Sequence, residues 1–158
     1  MNELTNRSLA GLAGLGSAAL LLAALTFQYF GYAPCELCIL QRWPHLAAAV
    51  IGLAIWAFGW HRALAILGLL AALVATAFAI FHTGVELKYW AGPAHCSGGI
   101  SHMTQLSTTD LMAQLQAAPV VRCDEAAWSL LGISMAGWNA ICSAILSLVW
   151  AASALRRA

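Results

Sequence analysis

Four long apolar runs divide the chain. The first, residues 8–27, contains no charged residue. At ~1.5 Å rise per residue, about 20 helical residues cross a hydrocarbon core of ~30 Å. The second run, 46–60, is too short by itself and needs the stretch from about residue 39 to reach that length. The third covers 63–82 and the fourth 134–155. Only His61 and Arg62 separate the second from the third, which predicts a tight antiparallel hairpin. Lipid gives backbone N–H and C=O groups no partners, and four segments cannot close a barrel, so each span is expected to be helical. The pattern thus predicts an all-α membrane protein. Its single domain, 1–158, is a four-transmembrane-helix bundle with helices at about 8–27, 39–60, 63–82 and 134–155. Polar loops are expected at about 28–42 and 83–131. Inside the second loop, Leu111, Met112 and Leu115 share one helical side over 108–116, with Ser107 or Thr108 as a cap and Pro119 beyond the end. That spacing predicts a short helix lying on the membrane surface.

Composition strengthens the membrane reading. Of 158 residues, 62% are hydrophobic and only 8% charged, whereas a soluble domain carries near 25% charge. Mean hydropathy is +0.81. Seven Trp suit a protein with two water–lipid interfaces. The net charge of +1 gives no basis for nucleic-acid binding. The first apolar run is too long for the core of a signal peptide and is expected to remain as a helix. Arg7, Arg62, Arg156 and Arg157 fall at one end of the predicted bundle, and Arg42, Lys88 and Arg122 at the other. The bias favours the first end as cytoplasmic, with both termini inside and both loops outside.

That orientation places Cys35, Cys38, Cys96 and Cys123 outside, where thiols can stay oxidised. Four cysteines allow three pairings, and the residues alone do not choose among them. Cys35-Glu36-Leu37-Cys38 is the strongest chemical signal. A C-x-x-C pair opens and closes with little chain movement, and a nearby cation or helix N-terminus stabilises the reactive thiolate. Arg42 lies four residues after Cys38, on the same face if the helix already runs there; with Pro44 as the first helical residue, the pair would instead precede the helix. A static brace across two residues removes little chain entropy, so a redox role is expected. A zinc site would need His95, Cys96 or Cys123 to complete four ligands, and no second C-x-x-C is present; no metal is expected. Cys96 and Cys123, in the second loop, read as either a staple or a second exchangeable pair, and the neighbouring C-x-x-C favours the latter. Cys142, among apolar neighbours in the fourth run, is expected to be inert. Trp43 reads as an interfacial anchor before it reads as the wall of a pocket.

These motifs resemble the DsbB family of disulfide bond formation proteins from bacterial inner membranes, across nearly the whole chain. The matching stretches are Cys35-Glu-Leu-Cys38-Ile-Leu-Gln-Arg42, then His82-Thr83, then Cys123-Asp-Glu with Trp128, Gly132, Met135 and Trp138 following. The resemblance implies a thiol:quinone oxidoreductase that re-oxidises a periplasmic DsbA-like dithiol oxidase. Cys96 and Cys123 would take electrons from that partner, with Cys96 in the mixed disulfide. Cys35 and Cys38 would pass them to a quinone (ubiquinone or menaquinone), with Cys38 nearest the ring. Arg42 would contact the quinone and His82 would neighbour it. A DsbI-like paralogue with one dedicated partner shares these features. A vitamin K epoxide reductase-like enzyme carries the loop pair before the C-x-x-C, an order not found here. A membrane anchor with structural disulfides is the reading from outside enzymology.

Overall fold

The computed structural model describes residues 2–93 and 121–156. Helix α1 spans Asn2–Tyr29, α2 Glu36–Phe58, α3 Arg62–Glu86 and α4 Met135–Leu155. All four are long and apolar enough to cross a membrane. They stand in a ring in which α1 packs on α2, α2 on α3, α3 on α4 and α4 back on α1, while α1 and α3 barely touch. A two-residue antiparallel pair, β1 (Ser129–Leu130) and β2 (Ile133–Ser134), precedes α4. Its turn residues Leu131 and Gly132 both have positive φ, 54° and 78°. That combination belongs to the tight turn whose twist matches paired strands, and it explains the glycine.

Packing is the reverse of a soluble bundle. Ala10, Ala13, Ala65, Ala72 and Ala154 fill the interior around Ile55 and Trp150, while Leu12, Leu22, Leu53 and Leu148 point outward. Lipid tails are as apolar as leucine, so helices associate through close backbone approach and van der Waals fit instead. The crossing of α1 and α2 shows this: a Cβ added at Gly14 would lie 2.7 Å from the Gly52 Cα. Gly68 likewise leaves room for the fully buried Trp150 ring, which a Cβ there would meet at 2.5 Å.

Helix ends differ from the expected ones in an informative way. The run from about 39 was expected to open the second helix, but α2 begins at Glu36, because the Cys35 sulfur caps it by accepting from the Cys38 N–H at 3.2 Å. The first loop therefore shrinks from 28–42 to 30–35, and Pro44 lies inside the helix. Pro44 removes the N–H that would have bonded to the Leu40 carbonyl. At its far end α3 continues past His82 to Glu86. The surface helix expected over 108–116 lies outside the described residues.

Candidate functional site

Cys35 ends the first loop and Cys38 sits in the first turn of α2, so the helix N-terminus itself presents both sulfurs. The sulfurs are 2.7 Å apart, and closing to a bond of ~2.05 Å needs a shift well under 1 Å. Hydrogen bonding to Cys38 and then burial push the Cys35 thiol up. His82, on α3, brings its Nε2 to 3.6 Å from the Cys35 sulfur. Ligand atoms of Cys35, Cys38 and His82 all fall within 4.8 Å of one another. Glu86 follows one turn later, its Oε1 3.9 Å from His82 Nε2 and its Oε2 accepting from the Ser134 hydroxyl.

Cys123 is fully buried and disulfide-bonded. It packs in one apolar cluster with Cys35, Leu37 and Val85, and its backbone hydrogen-bonds to His82. The two cysteine centres are thus joined in one buried cluster. Cys96 lies outside the described residues, as does His95. Beside Cys123, the Arg122 guanidinium grips Asp124 with two bonds of 2.9 and 2.8 Å. Lys88 just past α3 donates to the Asp124 backbone carbonyl at 2.7 Å and to its carboxylate. Arg122 first and Lys88 second hold the Asp124 carboxyl well below the usual carboxylate range. This clamp ties the Cys123 segment to the end of α3.

A cavity of about 220 Å³ opens beside the dithiol, between α1 and α4. Leu20, Ala24 and Phe27 form one side; Cys38, Arg42 and His82 contribute to the other. An apolar cavity of ~150 Å³ holds benzene, so a substituted ring fits here. Arg42 donates through Nη1 to the Gln28 side chain at 2.6 Å, while its buried Nε has no partner among the described residues. A permanent cation with a spare donor in an apolar wall suits a ring that carries oxygen acceptors. The residues present therefore fit a quinone head. Trp43 is 65% exposed and borders an outer groove with Leu21, Ile39 and Leu46, not this cavity. Cys142, a free thiol, lines the cavity wall.

Several site residues escaped the sequence reading. Gln41 Nε2 lies 2.7 Å from His82 Nδ1, and Asn139 Nδ2 donates to Gln41 Oε1 at 2.6 Å. His45 Nε2 and the Ser143 hydroxyl face Asn139 Oδ1 at 3.0 and 3.3 Å. An amide in the middle of an apolar span was the available signal, since polar groups in lipid-crossing helices turn inward to partners. Glu86 carried no such signal, because its place at a span end reads as loop.

The chain matches the family model described as "Disulfide bond formation protein DsbB" over residues 6–153. Among curated proteins, it is 31% identical over 154 residues to disulfide bond formation protein B of Verminephrobacter eiseniae, covering 92% of this chain and 84% of the relative. The protein of that name from Methylococcus capsulatus is 34% identical over 132 residues, with 79% of each chain covered. That from Marinobacter nauticus is 28% identical over 163 residues, covering 98% of this chain and 95% of the relative. No solved structure matches. A buried dithiol at a helix start, a second cysteine centre packed against it, a four-helix membrane bundle and the match over 6–153 agree: the chain belongs to the DsbB family of disulfide bond formation proteins, as a multi-pass membrane protein and disulfide-forming oxidoreductase.

Proposed function

We propose that this protein re-oxidises a periplasmic DsbA-like dithiol oxidase and delivers the electrons to a membrane quinone in a bacterial inner membrane. The observation that carries the reading is the shared wall: the Cys35–Cys38 pair borders a ring-sized apolar cavity on one side and the buried Cys123 on the other. A partner dithiol enters by exchange with the Cys96–Cys123 disulfide and leaves oxidised, so that pair becomes reduced. The resulting thiols then reduce the Cys35–Cys38 disulfide, which Cys35 meets through the common cluster with Cys123. Bound quinone supplies an acceptor for two electrons and two protons. Cys38 lines the cavity and is the sulfur from which the electron pair leaves; the Cys35 sulfur closes the disulfide with Cys38, and both thiol protons are released. Arg42, which lines the cavity, orients an acceptor oxygen and balances negative charge there. Arg7 reaches the Trp56 carbonyl at the opposite end of the bundle, which supports a cytoplasmic position for both termini under the charge rule.

The energetic need is consistent with this route. A DsbA-type oxidant sits at roughly −120 mV, above ordinary thiol pools, and requires a stronger sink. The test is quinone absorbance after adding a reduced DsbA-like protein to the purified enzyme. Bleaching is expected with the parent and not with Cys35→Ser or Cys38→Ser. An intact protein that forms the mixed disulfide yet leaves quinone untouched would overturn the reading.

A further inference from the structure

The polar network around His82 has a direction, and one backbone carbonyl sets it. Gln41 Nε2 lies 3.1 Å from the Leu37 carbonyl oxygen, one turn earlier on α2. A carbonyl only accepts, so the atom facing it must be the NH2 end of the Gln41 amide. The same nitrogen lies 2.7 Å from His82 Nδ1. Nδ1 therefore accepts, and the single proton of the neutral ring sits on Nε2. Nε2 is the atom that faces the Cys35 sulfur at 3.6 Å and Glu86 Oε1 at 3.9 Å, and the same ring hydrogen-bonds to the Cys123 backbone.

The remaining bonds keep Gln41 in that orientation. Its Oε1 accepts from Asn139 Nδ2 at 2.6 Å, which turns Asn139 Oδ1 toward His45 and Ser143. Both Gln41 and His82 are about 95% buried or more. If the Gln41 amide turned over, its NH2 would meet the Asn139 NH2 and its oxygen would meet the Leu37 carbonyl. Each of those contacts is repulsive.

We infer that the Leu37 carbonyl and Asn139, acting together through Gln41, fix the tautomer of His82 so that its Nε2–H faces the Cys35 sulfur. Asn139 is thereby a positioning residue for the thiol chemistry. The inference rests on the quinone-reduction reading for its kinetic consequence, but the tautomer itself does not. One corollary concerns metal. Cys35, Cys38 and His82 are spaced as three metal ligands would be, yet ligation through Nε2 needs its lone pair, and the network occupies Nε2 with the proton.

The experiment uses the full-length protein in micelles with 15N-labelled histidine, the His82 signal being assigned by its loss in His82→Ala. In the parent, nitrogen–proton correlation spectra should place the ring proton on Nε2. Gln41→Glu substitutes a carboxylate that can only accept, and should move the proton to Nδ1. Asn139→Leu removes one of the two bonds that orient Gln41, and should lower the share of the Nε2-protonated tautomer. Turnover of quinone should fall in each variant by roughly tenfold to a hundredfold, the order expected when a buried hydrogen-bond partner is lost, with the quinone KM changed less than about twofold. A parent proton on Nδ1 would overturn the inference. So would unchanged tautomer and unchanged kcat in Gln41→Glu, which decides the matter alone should Asn139→Leu not fold. A parent that holds the Nε2 proton but reduces no quinone would instead refute the proposed function and leave the tautomer assignment standing.

Discussion

Replacing Gly14 by alanine should separate α1 from α2. The added Cβ would stand 2.7 Å from the Gly52 Cα and 3.4 Å from the Ala48 carbonyl oxygen. Comfortable carbon–carbon contact begins near ~3.5 Å, so the backbones must part by about 1 Å at their crossing. Neither neighbour is a flexible side chain that can swing away. Overpacking of this kind costs about 1–3 kcal/mol. In a chain of this size ~1 kcal/mol corresponds to roughly 2–4 °C in Tm, giving a fall of roughly 2–12 °C. Gly11 is the matched control, since a Cβ there meets only Trp56 Cδ1, at 3.9 Å. Gly11→Ala should gain ~0.5–1 kcal/mol from reduced backbone freedom. Thermal unfolding of both variants in one detergent, followed by near-ultraviolet circular dichroism, measures the contrast. Because α1 also carries Gln28 and one side of the cavity, Gly14→Ala should raise the quinone KM as well. Equal Tm values for the two variants would refute the argument from close approach.

Arg42→Lys should fold normally and weaken quinone use by about tenfold, and Arg42→Ala by up to about a hundredfold, the worth of one charge-assisted bond of ~1.5–3 kcal/mol; quinone-dependent steady-state kinetics at saturating partner reads this. Cys142→Ala should keep most turnover, whereas alkylation of Cys142 in a protein whose other thiols are oxidised should block quinone use, because this thiol lines the cavity; mass spectrometry and activity on one sample check both. Asp124, whose carboxyl Arg122 and Lys88 hold low, contributes its clamp fully above the unfolded carboxylate range near pH ~3.9. That contribution is lost as the pH falls through the depressed folded value, so proteolysis of the Cys123 segment should stay slow from pH 7 to 4 and quicken only in stronger acid, while Asp124→Asn should quicken it already at pH 7.

The spans were legible because lipid enforces length and apolarity together, and 63–82 and 134–155 needed no knowledge of partners. The helix ends were not, because partners decide them. Cysteine is not among the usual capping residues, so the start of α2 at Glu36 could not be read from Cys35, and Pro44 pulled the expected start later. Thr83 and Glu86 read as the beginning of a loop, yet Ser134 supplies Glu86 with a bond that keeps it in α3. The C-x-x-C announced redox chemistry by its spacing alone. Asn139 announced only that it has a partner, and which partner is a matter of how α4 turns against α2. The clamp of Arg122, Asp124 and Lys88 joins residues 36 positions apart, a distance at which charge pattern says nothing about contact.

The depth of the sulfurs has a consequence for leakage. Cys35 is 4% exposed and Cys123 not at all. A small thiol dissolved in the surrounding water meets neither, although any dithiol of suitable potential would be oxidised if it could arrive. Burial therefore works as insulation at these two sulfurs: a small thiol lacks a path to either of them, whatever its potential.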